Sequence, residues 1–150
     1  MKIQQLSLFL ENKPGHLSAI CQTLARANIN IVTLSLADTQ QFGILRLIIQ
    51  DPDRAKDVLE AKGFVVNVTE VVATEVEDRP GGLSDVLKTL EQTGTNIEYM
   101  YAFTSRRNNR AVLIFRFDDP DAAIKHLQAK GINVLGRVDL FDETPGAQKR

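Results

Sequence analysis

The stretch Glu11-Asn12-Lys13-Pro14-Gly15-His16-Leu17-Ser18 returns along the chain as Glu77-Asp78-Arg79-Pro80-Gly81-Gly82-Leu83-Ser84, a shift of 66 residues. At the same shift Thr23-Leu24 maps onto Thr89-Leu90, and Asn30-Ile31 onto Asn96-Ile97. Further on, Asp51-Pro52-Asp53 matches Asp119-Pro120-Asp121 and Ala61-Lys62-Gly63 matches Ala129-Lys130-Gly131, now at a shift of 68. The second copy therefore carries two extra residues, expected in the turn around Arg106 to Arg110. So many landmarks in the same order make an internal duplication, and two copies fall short of a solenoid.

Each copy reads as strand, helix, strand, strand, helix, strand. Leu6, Leu8 and Leu10 alternate with Ser7 and Phe9 at the strand period. Pro14-Gly15 breaks that strand. Leu17, Ile20, Cys21 and Leu24 then fall on one helical face, repeated as Leu83, Val86, Leu87 and Leu90. Ile31 to Ala37 and Ile44 to Ile49 read as short strands, with Asp38 to Gly43 as the hairpin loop between them. Asp51 is placed to cap a second helix, Pro52 suits its first turn, and Gly63 ends it before a last strand from about Phe64. This order predicts an α+β fold: two ferredoxin-like βαββαβ modules in tandem, with largely antiparallel sheets and one helical layer on one face of each. The expected modules are residues 1–68 and 69–142, with 143–150 a loose tail. Val65 to Val76 has no Pro, Gly or Ser-rich spacer, so the last strand of copy one should run almost straight into the first of copy two.

Composition bounds the function. The 150 residues are 43% hydrophobic and 25% charged, as in ordinary globular proteins. A net charge of -1 gives no electrostatic case for nucleic acid or an anionic membrane as partner. Met1 to Glu11 alternates rather than forming a signal peptide's apolar stretch, and no run approaches the ~18 apolar residues of a membrane helix. The expected compartment is the cytoplasm. Cys21 is the one cysteine and reads as a packed thiol; no cluster has zinc spacing, and no metal or cofactor is expected. No Ser/His/Asp or Cys/His signature and no phosphate-binding glycine loop supports catalysis. His126 replaces Val58 in the repeat and reads as a partly exposed helix residue. Arg106, Arg107 and Arg110 read as solvated turn residues, with a docking patch as the alternative.

The chemistry concentrates at the Pro-Gly junction of strand and helix, present twice. A helix start has unpaired amides and partial positive charge, so it attracts a carboxylate. Gly15 and Gly81 permit close approach to the backbone, while Asn12 and Asp78 can direct oxygens at an ammonium group. Asn30 and Asn96 lie beyond the far end of the same helix. That combination suits a free amino acid, although such turns and caps also occur as plain architecture.

Asn12-Lys13-Pro14-Gly15-His16-Leu17 followed by Asn28-Ile29-Asn30-Ile31 resembles the ACT domain, and Asp78-Arg79-Pro80-Gly81-Gly82-Leu83 with Thr95-Asn96-Ile97 resembles it again. The resemblance spans roughly residues 3 to 141. It implies sheets packed side by side with helices on one face, and an allosteric module that binds an amino acid at a module interface through the strand–helix loop. The implied contacts are Asn12, Gly15, His16 and Asn30 from copy one, and Asp78, Gly81, Gly82 and Asn96 from copy two. His16 also reads as a plain loop histidine. The two pockets should differ: Asp78 brings a charge where copy one has Asn12, and Gly82 leaves more room than His16. Tyr99, Met100 and Tyr101 also stand in place of Thr33, Leu34 and Ser35. Whether one or both are used stays open.

The expected function is that of a regulatory, non-enzymatic protein that senses a free amino acid. The alternative is a regulatory subunit docked on an amino-acid biosynthetic enzyme such as acetolactate synthase, whose small subunit resembles this chain in one module only. The modules take up nearly all the chain, which leaves no room for a catalytic domain. A homodimer is expected because sheet edges and an open sheet face call for cover.

Overall fold

The structure is a computed structural model that describes residues 1–38, 40–104, 106–107 and 109–141. The tail expected at 143–150 lies outside the described residues. The elements run in the order β1 (Ile3–Glu11), α1 (His16–Arg26), β2 (Ile31–Asp38), β3 (Phe42–Ile49), α2 (Pro52–Ala61), β4 (Val66–Glu77), α3 (Gly82–Glu91), β5 (Ile97–Ala102), β6 (Arg110–Phe117), α4 (Pro120–Ala129), β7 (Val134–Leu135) and α5 (Arg137–Phe141). The βαββαβ pattern is thus repeated, with antiparallel pairing throughout the registers described. The chain divides into two compact units, Gln4–Thr69 on one side and Met1–Ile3 with Glu70–Arg150 on the other. β4 is one unbroken strand of 12 residues that contains the division, because no Pro or Gly interrupts its valine- and threonine-rich sequence.

In the Gln4–Thr69 unit, β3 pairs with β1 and β2, aligning Leu47 with Leu6 and Leu34, and Leu45 with Leu8 and Leu36. Alternation puts these leucines on one face. Ile20 and Leu24 of α1 and Ala55 and Leu59 of α2 pack on Leu6, Leu8, Leu45 and Leu47, so both helices cover the same sheet face. Leu34 and Leu36 stay 41% and 47% exposed because β2 ends the strand order. The Glu70–Arg150 unit repeats the plan. β6 pairs with β4 and β5, and Val86, Leu90, Ala123 and Leu127 pack on Val72, Val76, Phe115 and Phe117. The Phe115 and Phe117 rings stack with centroids 5.4 Å apart. On the opposite face the repeats differ: Phe9 and Phe42 are 64% and 52% exposed, whereas Val71, Ala73, Val112 and Ile114 are buried.

Several expectations are corrected. The first hairpin is tighter than Asp38 to Gly43, because β3 begins at Phe42 and Gly43 is a buried strand residue. The fourth strand of copy one starts at Val66, and that of copy two shrinks to Val134–Leu135 before α5, a helix not foreseen. The buried helix face runs through Ile20 and Leu24 and through Gly82, Val86 and Leu90, while Leu83 is exposed. The two extra residues do fall between β5 and β6, where Arg107 and Arg110 bridge the turn. Asp51 and Asp119 cap α2 and α4 by accepting from the amides of Arg54 and Ala122.

Candidate functional site

Each strand–helix junction begins with a carboxylate at the strand end and a cation two residues later. Lys13 Nζ lies 2.6 Å from Glu11 Oε2, and Arg79 Nε donates to Glu77 Oε2 at the matching place. The hydrogen bond from Lys13, then its charge, holds the Glu11 carboxyl below its ordinary value. Arg79 does the same to Glu77, and both cations are correspondingly raised. Gly15 and Gly81 follow as N-cap residues in the left-handed region, with φ of 90° and 86°, a conformation that costs other residues a clash of Cβ. The amides of His16 and Gly82 turn back to the carbonyls of Lys13 and Arg79. No side chain caps either helix. By helix geometry the next two amides in each, of Leu17 and Ser18 and of Leu83 and Ser84, then have no carbonyl one turn earlier.

Beyond this shared frame the second junction is more heavily charged. Arg79 Nη2 donates to Asp85 Oδ2 at 2.7 Å, so one guanidinium ties the strand end to the first turn of α3. Copy one has Ala19 where Asp85 stands. The Glu75 side chain is only 8% exposed, with Oε1 3.1 Å from Arg107 Nε. Its Oε2 accepts from Asn133 Nδ2 at 3.1 Å. These groups border an open cleft of about 380 Å³ between the end of β4, the start of α3 and the loop from Lys130 to Asn133. Glu75, Glu77, Arg79, Asp85, Arg110 and Lys130 supply both signs of charge, and Val76, Val86 and Ile132 its apolar part. Sites for small molecules have volumes of this order, with few polar groups on a mostly apolar wall. This cleft is more polar, which fits a charged ligand.

The structure places the expected site residues unevenly. Gly82 lines the cleft, but it does not leave room for a ligand as expected from its lack of side chain. A Cβ there would sit 2.1 Å from the Glu77 carbonyl oxygen, so glycine lets the helix start press on the strand end. Gly81 and Asp78 adjoin the cleft in sequence without lining it, and the Asp78 carboxylate meets Arg106 at 2.8 Å rather than an open position. The Asn96 amide donates to Asp118 Oδ1 at 2.9 Å, which anchors the start of β5 outside the cleft. In copy one Asn12 and Gly15 are exposed and His16 is half-buried at the first turn of α1. The Asn12 amide donates to the carbonyl of Gln41. Asn30 lines a separate pocket of about 210 Å³ with Asn28, Asp51 and Arg54.

Glu75, Asp85, Arg110, Lys130 and Asn133 were missed by sequence reasoning. One signal was available: Glu75 is a lone acid inside the apolar run from Val71 to Val76. The others come from three different elements and share no motif. Among the described residues no group of three or more His, Cys, Asp or Glu is arranged to hold a metal, and no helix is long and apolar enough to cross a membrane. Cys21 is a free, half-buried thiol.

The family described as the ACT domain pair matches residues 1–143. Protein BT0572 from Bacteroides thetaiotaomicron is similar at 42% identity and a TM-score of 0.87, over 94% of this chain and 96% of that one. The regulatory subunit of aspartate kinase from Thermus flavus aligns with a TM-score of 0.58 at 16% identity, over 84% of this chain and 90% of that one. Its ligand-free counterpart from Thermus thermophilus gives 0.58 at 18% identity, over 85% and 91%. At those identities the likeness to the kinase subunits is one of fold. No curated protein matches.

Proposed function

Because the chain belongs to the family of paired ACT domains, we propose that it is a regulatory protein without catalytic activity that senses a free amino acid, with the cleft beside Gly82 as its binding site. One observation carries this reading: an uncapped helix start, carboxylates and cations converge on one cleft of about 380 Å³. A zwitterion needs both signs of charge within its own small length, and this cleft supplies them. The junction of copy one, with Asn12, Gly15, His16 and Asn30, is the weaker candidate, since Asn30 faces a different pocket. Asp78 and Gly81 act here by shaping the turn, and Asn96 by anchoring the start of β5, rather than by touching the ligand.

A thermal-shift panel of the twenty amino acids tests the reading. A ligand that binds only the native state raises its stability, by about 2.7 kcal/mol at a hundred times its dissociation constant. At least one amino acid is expected to raise the melting temperature, and Asp85→Ala to remove that rise. No shift at millimolar concentration with any of the twenty removes the proposal.

A second reading is a subunit docked on a biosynthetic enzyme of amino-acid metabolism, such as acetolactate synthase. The fold it shares with regulatory subunits of aspartate kinase supports this. Isolation from cytoplasm without added ligand separates the two: a stoichiometric enzyme partner favours the subunit. The uncovered end of the strand order at β2, with Leu34 and Leu36 exposed, supports a second copy as partner, and sedimentation showing only monomer excludes it.

A further inference from the structure

We infer that the amino acid taken by the second repeat's cleft is an acidic one, with two carboxylates and one ammonium, and that the first repeat's junction does not take it. This rests on the reading of the cleft as the amino-acid site, and deepens it. The argument is a charge balance among named groups. Glu75 is neutralised by Arg107, and its second oxygen is occupied by Asn133. What remains in the lining is two acids, Glu77 and Asp85, against three cations, Arg79, Arg110 and Lys130. Arg79 is hydrogen-bonded to both acids. Arg110 lies across the β4–β6 ladder from Glu77 and acts on it through its charge without a hydrogen bond, and among the described residues neither Arg110 nor Lys130 lies within ion-pair distance of a carboxylate. Two cations are thus left for two carboxylates. Glu77 and Asp85 share one guanidinium, and a carboxylate accepts about four hydrogen bonds, so both retain capacity for an ammonium. A ligand of net charge -1 balances the cleft; a neutral amino acid leaves one cation unmatched, and a basic one adds to the excess. Complementarity of this kind decides specificity more than affinity.

The first repeat keeps the frame and loses the balance. Glu11, Lys13 and Lys62 correspond to Glu77, Arg79 and Lys130. Phe9, Ala19 and Phe42 stand where Glu75, Asp85 and Arg110 stand in the second. An ammonium there meets one carboxylate already bound to Lys13, and a second ligand carboxylate loses one of its two cations.

Isothermal titration of the full chain at low ionic strength, with L-aspartate, L-glutamate and their amides L-asparagine and L-glutamine, tests this. An acid is expected to bind at least roughly tenfold tighter than its amide. Arg110→Gln and Lys130→Gln should each weaken the acid roughly tenfold to a hundredfold, the range of one charge-assisted contact. A circular dichroism spectrum and a urea midpoint unchanged from wild type show that the variants fold. Lys62→Gln should leave the binding of acid and amide unchanged. If an amide binds as tightly as its acid, the acidic class falls and the amino-acid reading stands. If Lys62→Gln abolishes acid binding and Lys130→Gln does not, the site lies in the first repeat and the inference is overturned. If none of these four binds and the thermal-shift panel of the twenty amino acids shows no ligand, both fall.

Discussion

Gly15 matches Gly81 in the repeat, whereas Gly82 stands where the first copy has His16, and Gly15 and Gly82 meet different physical limits. At Gly15 the backbone φ is +90° but nothing lies within 4 Å of the place a Cβ would take, so only backbone conformation opposes a side chain. At Gly82 a Cβ would strike the Glu77 carbonyl, and neither atom can swing away without shifting strand or helix. Gly15→Ala should cost about 1–2 kcal/mol, the penalty of a left-handed residue. Gly82→Ala should cost more, about 3 kcal/mol, at the upper end for overpacking. Urea unfolding of both variants checks the order, and a Gly82→Ala protein as stable as Gly15→Ala would contradict the contact. Glu77 offers a second test. Its carboxyl is held low by Arg79, so the folded state favours the charged form. That contribution is present above the ordinary glutamate value near ~4.3 and is lost as pH falls through the lower folded value. An NMR titration should place Glu77 below its ordinary value and Arg79→Gln should raise it, Arg110 still acting on it through its charge; an unchanged midpoint in the variant would remove Arg79 as the main cause.

At the scale of elements, the two repeats share devices that local chemistry explains. Asp51 and Asp119 each accept from an amide three residues on, ahead of a proline in the first turn. Asp51→Ala and Asp119→Ala should each lower stability by about 1 kcal/mol, and Asn at either place should restore most of it. Chemical denaturation measures both; loss at only one position would mean that the duplicated caps are not equivalent. Both second strands also carry an irregularity at the same repeat position, between Ile31 and Thr33 and between Ile97 and Tyr99. The helix faces diverge from simple periodicity where Gly82 presses on β4. The buried line then runs through Gly82, Val86 and Leu90, and Leu83 turns outward.

For the molecule as a whole, the duplication has produced unlike halves. Charged residues gather at the second junction, while the corresponding places in the first hold exposed Phe9 and Phe42. Hydrogen exchange with a saturating amino acid should slow the amides of residues 75–86 and 130–133 and leave 11–20 unchanged, because binding stabilises the segments it touches most. Equal protection of both junctions would show that the repeats bind alike. Regulation by such a ligand needs only a coupling of about 1–3 kcal/mol between sites, well within the reach of a few ion pairs rearranged on binding.

The repeat, the alternation of strands and helices, the capping aspartates and the Pro-Gly turns were all legible in the chain, because each depends on residues within a few positions of one another. The unbroken β4 was legible for the same reason, as a run without a breaker. The cleft was not. Glu75, Asp85, Arg110, Lys130 and Asn133 come from a strand, a helix, a second strand and a loop, and they meet only after packing. Sequence placed Asp78 and Gly82 at the site by position. Tertiary structure turned the first toward Arg106 and set the second against a backbone carbonyl. Side-chain direction and ion pairing depend on what the fold brings within a few ångströms, and spacing along the chain carries no such information.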